Sequence, residues 1–243
     1  MTPVELLVIG PHPDDLEIGL GGTVAVHTAA GFRVGLCDLT AGEMGSNGTV
    51  EERLAESEAA RVVLGADWRV NLRLTDRAIG KAPGDAVAVA SLIRQARPRT
   101  IAIPYWADRH PDHVAASHFL TDAVFSAGLR KFQAEGDAWK PERVCYYFIN
   151  DSVAPSFVVD VSAQYEVKRR ALACHASQFT PTSGVATRLT SSTFTQLIES
   201  RDAQFGALAG VAWAEGLVVR DPLVLPHLLR NLQHGPLVSP GIA

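Results

Sequence analysis

The chain has 243 residues, 47% of them hydrophobic and 20% charged, which is enough to bury one substantial core and fits a single α/β domain. Its net charge of −4, with Lys and Arg scattered along the chain, argues against nucleic acid or an anionic membrane surface as partner. No apolar run nears the roughly 18 residues of a membrane span, and three cysteines without C-x-x-C spacing make neither a disulfide framework nor a zinc knuckle. The N-terminus also lacks the pattern of a signal peptide, so a cytoplasmic protein is expected.

In chain order, residues 4–9 read as a buried strand and 19–30 as a helix rich in small residues. Residues 34–39 form the next strand pattern, and 50–64 have helical periodicity with acids and arginines outward. A weaker strand at 68–74 precedes a helix at 85–96, which Pro98 stops. A short strand at 100–103 and a helix at 114–127 follow. Runs of strand length recur at 144–149 and 157–161, with helical patterns at 167–174 and 194–208. Residues 41–49, 180–184 and the tail after Leu232 read as loops. The alternation predicts a single α/β domain over 1–243, a Rossmann-like three-layer sandwich whose mostly parallel sheet is covered on both faces. Cys37 and Cys145 fall in strand runs and are expected to be buried hydrophobes.

Two clusters carry the chemistry. Pro11-His12-Pro13-Asp14-Asp15 follows the first strand, and Arg109-His110-Pro111-Asp112-His113 follows the fourth. With the common strand order 3-2-1-4-5, strands 1 and 4 are neighbours where the order reverses, and ligands bind beyond the carboxyl ends there. The two clusters should therefore meet. Imidazole and carboxylate suit a divalent cation, and three protein ligands with an open position make a catalytic site. Pro11 and Pro13 restrict the backbone on both sides of His12, which suits a rigid site.

These motifs, together with Gly21-Gly22-Thr23, resemble the signature of the LmbE/PIG-L family of zinc-dependent N-acetylglucosamine deacetylases. Leu39-Thr40-Ala41-Gly42-Glu43, Gly48-Thr49, Arg53 and Glu58 fall in the same pattern. Ala173-Cys174-His175-Ala176-Ser177-Gln178-Phe179 and Ala214-Glu215-Gly216 resemble the branch that deacetylates N-acetylglucosaminyl-malate for bacillithiol synthesis, so the similarity runs from about residue 4 to 220. The resemblance implies His12, Asp15 and His113 as ligands of Zn²⁺ (Fe²⁺ being another metal of this type), and Asp14 as general base. It implies His110 as the acid that protonates the leaving amine, with Asp112 as the carboxylate partner of its ring. A zinc ion in such a site acidifies water and polarises the amide carbonyl.

Arg53 could pair with Glu52, Glu56 or Ser57 on its own helix; the family pattern instead points it into the site, to bind substrate or polarise the carbonyl. Arg109 is a second candidate for gripping malate carboxylates, and Glu43 a candidate for sugar hydroxyls. His175 could reach the aglycone or cap a helix. Some relatives add a tyrosine hydroxyl from a mobile segment to stabilise the oxyanion; here no tyrosine follows Tyr165. The expected substrate is a small GlcNAc conjugate. A homo-oligomer is expected, with apolar residues near 218–229 as its interface.

Three other readings compete. Gly19-Leu20-Gly21-Gly22, with Asp38 after it, mimics a dinucleotide fingerprint, but the spacing requires glycine where Val24 stands. An acidic loop of nine residues between Ile9 and Gly19 would also repel a pyrophosphate. A non-catalytic metal-binding scaffold has no need of Asp14, His110 and Asp112. A deacetylase of inositol-linked, chitobiose or lipid-linked N-acetylglucosamine, or a thiol-conjugate amidase, keeps the same site with a different aglycone; the absence of a membrane segment disfavours the lipid-linked one.

Overall fold

The structure is a computed structural model and describes residues 1–181 and 184–224. The elements run β1 (Leu6–Gly10), α1 (Asp15–Ala29), β2 (Val34–Thr40), α2 (Val50–Leu64), β3 (Trp68–Leu74), α3 (Asp85–Ala96), β4 (Thr100–Pro104) and α4 (Pro111–Ala127). They continue with β5 (Arg143–Tyr147), β6 (Phe157–Asp160), α5 (Tyr165–Ala173), α6 (Ala176–Phe179), α7 (Ser192–Ala209) and β7 (Ala214–Val218). The seven strands form one sheet in the order β3-β2-β1-β4-β5-β7-β6. The first five pair in parallel, in the predicted order, while β7 runs antiparallel between β5 and β6. The sequence reading did not foresee β7: Glu215 and Gly216 interrupt its apolar pattern, and its pairing partners make it a strand.

The sheet divides the core in two. Leu7, Ile9, Cys37, Leu39, Ile101 and Ile103 pack with residues of α3 and α4 on one face. Leu6, Val8, Leu36, Ala102 and Cys145 pack with residues of α1, α2 and α5 on the other. This is the period-two alternation of strands buried on both faces. Cys37 and Cys145 are buried, as expected.

Both site helices start earlier than the periodicity predicts. Asp14 is the N-cap of α1, and its carbonyl accepts from Ile18 N at 3.0 Å. His110 caps α4, its Nδ1 accepting from Asp112 N at 3.2 Å, with Pro111 as the first helical residue. The supposed nine-residue acidic loop is thus a short turn followed by the first turn of α1. Buried polar residues there carry no apolar period, so pattern reading placed the helix starts too late.

Helix α1 is broken at Leu20 (φ −138°, ψ 18°), and the structure replaces what the break removes. Glu215 of β7 accepts from Gly22 N at 2.9 Å and Thr23 N at 2.6 Å, while Arg201 of α7 donates to Ile18 O at 2.7 Å. Lys168 lies fully buried between Asp202 and Glu215, with Nζ 2.6 Å from each. The glycines that mimicked a nucleotide fingerprint serve packing here. A Cβ at Gly19 would strike the Tyr147 ring, and one at Gly22 would strike Val161.

No helix among the described residues is long and apolar enough to cross a membrane. Of the expected oligomer interface, Val218 closes β7, and residues 225–229, like the tail after Leu232, lie outside the described residues.

Candidate metal centre and catalytic pocket

The turn after β1 is anchored from every side. Tyr147 donates its hydroxyl to Ile9 O at 3.0 Å, Thr40 donates N–H and Oγ1 to Pro11 O at 3.0 Å each, and Arg53 donates to Pro13 O at 2.8 Å. This over-determined frame holds Asp14 at φ 110° and ψ −31°, a conformation that costs a non-glycine residue on the order of 1–3 kcal/mol. Asp14 is 3% exposed, and its Oδ2 makes no hydrogen bond among the described residues. Arg53 Nη2 stands 3.5 Å from that oxygen.

Helices α1 and α4, starting beside each other beyond β1 and β4, bring His12, Asp15 and His113 together as predicted. One ligand atom from each lies within 4.8 Å of the others, and Asp15 and His113 are nearly sequestered from solvent. Asp15 Oδ2 is 3.0 Å from His12 Nδ1, and Oδ1 is 3.3 Å from His113 Nε2. His12 Nε2 faces Asp76 and Asp112 at 3.3 Å each. Burial alone would push both imidazoles toward neutrality, but the carboxylates outweigh it: His12 is raised well above its ordinary value and His113 to about 9. A cluster this acidic calls for positive charge at its centre, and two imidazoles with a carboxylate form a suitable donor set for a divalent cation.

Burial raises Asp14 to about 6 against the opposing pull of Arg53. His110 is lowered, first by burial and then by His113 and His12, against whose rings it packs at 4.6 and 5.1 Å between centroids. The expected pairing of the Asp112 carboxylate with the His110 ring is not what the structure shows. That carboxylate accepts from Arg77 N and Nη1 and faces His12, because helix capping brings the backbone N–H of Asp112 to His110 Nδ1 instead.

His12, Asp14, Asp15, Asp76, His110 and His113 line a cavity of about 280 Å³, together with Arg53, Arg77, Arg109, Arg188 and Gln178. A larger groove of about 720 Å³, between α4, β5 and residues 219–224, contains no histidine, and the convergent ligands place the site in the smaller one. Arg53 is buried and reaches the cavity, donating to Gly42 O at 2.9 Å, so neither Glu52 nor Glu56 holds it. Glu52 closes the capping box of α2, and Glu56 accepts from Ser177. Gly42, at φ 66°, is required: a Cβ there would overlap the guanidinium. Exposed Arg109 lies at the cavity wall.

Glu43 is displaced from its expected task. One of its oxygens accepts from Asp76 N at 2.7 Å, and the residue does not line the cavity. His175 contacts neither solvent nor cavity; it is fully buried with Nε2 3.2 Å from Glu17 Oε2. Asp76, Asp108, Asn150 and Arg188 went unread in the sequence. Asp76 follows the carboxyl end of β3 and Asp108 that of β4, so the strand-end rule applied to His110 would have reached both.

The fold and this site define a PIG-L-type α/β protein, and sequence comparison agrees. Residues 7–124 match the PIG-L family, described as GlcNAc-PI de-N-acetylase. Diacetylchitobiose deacetylase of Thermococcus kodakarensis is 33% identical over 190 residues, covering 72% of this chain and 70% of that one. A 1D-myo-inositol 2-acetamido-2-deoxy-alpha-D-glucopyranoside deacetylase of Rhodococcus opacus is 28% identical, covering 74% and 83%. The crystal structure of a conserved protein from Thermus thermophilus superposes with a TM-score of 0.84 at 40% identity, covering 91% of this chain and 97% of that one. The chain belongs to the PIG-L (LmbE-like) deacetylase family.

Proposed function

We propose that the protein is a zinc-dependent N-deacetylase of a small GlcNAc conjugate, N-acetylglucosaminyl-L-malate in bacillithiol biosynthesis, releasing acetate and a free amine in the cytoplasm. The observation that carries this reading is Asp14: a buried carboxylate with an oxygen that accepts no hydrogen bond, held in a strained conformation beside the His12, Asp15 and His113 donor set. Those three residues would hold the metal, which supplies Lewis acidity and lowers the pKa of water.

Asp14 Oδ2 takes the proton of the attacking water as the new C–O bond forms. A basicity near 6 suits that transfer at neutral pH. His110 gives a proton to the departing nitrogen as the C–N bond breaks. The ring does so as the imidazolium and is left neutral by the transfer, the state in which its Nδ1 can accept the N–H of Asp112. Asp112 acts on His12 and Arg77, a role that orients the donor set rather than the acid. Arg53, held by two backbone carbonyls, offers its remaining charge to the acetamide oxygen. Arg109 binds a malate carboxylate.

Relatives named for chitobiose and inositol conjugates make those aglycones the alternatives. Primary-amine release from N-acetylglucosaminyl-L-malate, diacetylchitobiose and the inositol conjugate, with and without zinc, tests the reading. Zinc-dependent release fastest from the malate conjugate supports it. Faster release from another conjugate overturns the substrate, and no release from any overturns the reaction.

A further inference from the structure

Four arginines line the cavity, and they are not equivalent. Arg53 stands 3.5 Å from Asp14, and Arg77 makes a 2.7 Å ion pair with Asp112. Arg109 and Arg188 are exposed, and neither is within ion-pair distance of a carboxylate among the described residues. The lining carboxylates Asp14, Asp15 and Asp76 are already engaged with Arg53 and the histidines. Two cations therefore face the cavity with no counter-ion.

Arg188 is presented by a built turn. Thr187 N donates to Thr190 Oγ1 at 3.0 Å, and Thr190 Oγ1 donates to Thr187 O at 2.9 Å. Upstream, the buried side chain of Asn47 clamps Val185, donating to its carbonyl and accepting from its N–H at 2.9 Å each. The Arg188 guanidinium lies 5.6 Å from the ring centre of Phe194, itself 2% exposed and part of the cavity lining. That contact orients the guanidinium without neutralising it. An arginine held by its backbone and by an aromatic face loses less freedom on binding an anion than a mobile one.

We propose that Arg188, with Arg109 from the β4–α4 loop, forms an anion-binding mouth that selects GlcNAc conjugates whose aglycone carries carboxylates. The proposal rests on the deacetylase reading of the same cavity and adds the residue that sets its substrate class. Two uncompensated guanidiniums match a dicarboxylate by bidentate pairing. A neutral aglycone such as inositol or a second sugar leaves both charges unanswered.

The test measures equilibrium binding, so it does not depend on turnover. Titration of the metal-loaded protein with the product glucosaminyl-L-malate and with methyl glucosaminide gives a selectivity ratio. Arg188→Gln should lower that ratio at least about tenfold, the scale of a lost charged hydrogen bond. Arg188→Lys should recover part of it as a point charge. An unchanged ratio in Arg188→Gln overturns the proposal, even if the malate conjugate is deacetylated. A lowered ratio without deacetylation keeps the anion mouth and removes the proposed reaction. Tighter binding of inorganic phosphate than of L-malate overturns the assignment to carboxylates.

Discussion

Asp108 Oδ1 lies 3.0 Å from His113 Nδ1, and this turns the opposite ring nitrogen of His113 toward Asp15 at 3.3 Å. Asp108 is itself held by the N–H groups of His110 and Asn150, so the ring orientation is set before any cation arrives. A carboxylate behind a ligating imidazole fixes both its tautomer and its direction.

Asp108→Ala should therefore weaken metal binding by about 10–100-fold while leaving the fold intact. Competition with a fluorescent chelator reads this directly. Wild-type affinity in the variant would remove Asp108 from the support of the site.

Asp14→Ala and His113→Ala should separate proton transfer from metal binding. The first is expected to retain metal while turnover falls by about 10²–10⁴-fold, the usual scale of a lost general base. The second should lose both. Metal analysis beside amine release distinguishes them; near-normal turnover in Asp14→Ala would rule out its role as base.

Glu215→Ala should destabilise the protein by about 3–5 kcal/mol, the cost of breaking a buried ion pair. It strips Lys168 of one of two carboxylates and leaves the N–H groups of Gly22 and Thr23 without partners at the break in α1. Urea denaturation measures the loss. The double variant with Lys168→Met should be less destabilised than the sum of the single variants, because it also removes the stranded charge. Strict additivity would mean the pair is not coupled.

His175→Gln should change how stability depends on pH. Burial lowers the pKa of His175, but Glu17 outweighs it and the net shift is upward from 6.5. Its contribution is then fully present below about 6.5 and is lost as pH rises through the raised folded value. The stability gap between wild type and variant should shrink from pH 6 to pH 9; a constant gap would refute the ion pair. Glu17 governs the acid side. Burial raises it, yet Arg69 and His175 together hold it at about 2, so its contribution is present above 4.5 and fades as pH falls toward 2.

The chain by itself determined five parallel strands and, once they take the common doubly wound order, the meeting of His12, Asp15 and His113. Apolar runs of strand length set the sheet, and chain order then leaves one reversal point, beyond which two His/Asp clusters must converge. The helix starts, β7 and the second rank of acids were decided by tertiary structure. Asp14, Asp15, Asp112 and His113 are polar and buried, and no apolar periodicity marks the helix turns they begin. Glu215, noted in the sequence only as part of a motif, and His175, expected at the aglycone or a helix cap, acquire their tasks from residues distant along the chain: Gly22 and Lys168 for one, Glu17 for the other. The Asp112 pairing was misread for the same reason. Capping brought its N–H to His110 and left its carboxylate to His12 and Arg77, a choice made by three-dimensional packing and not by spacing along the chain.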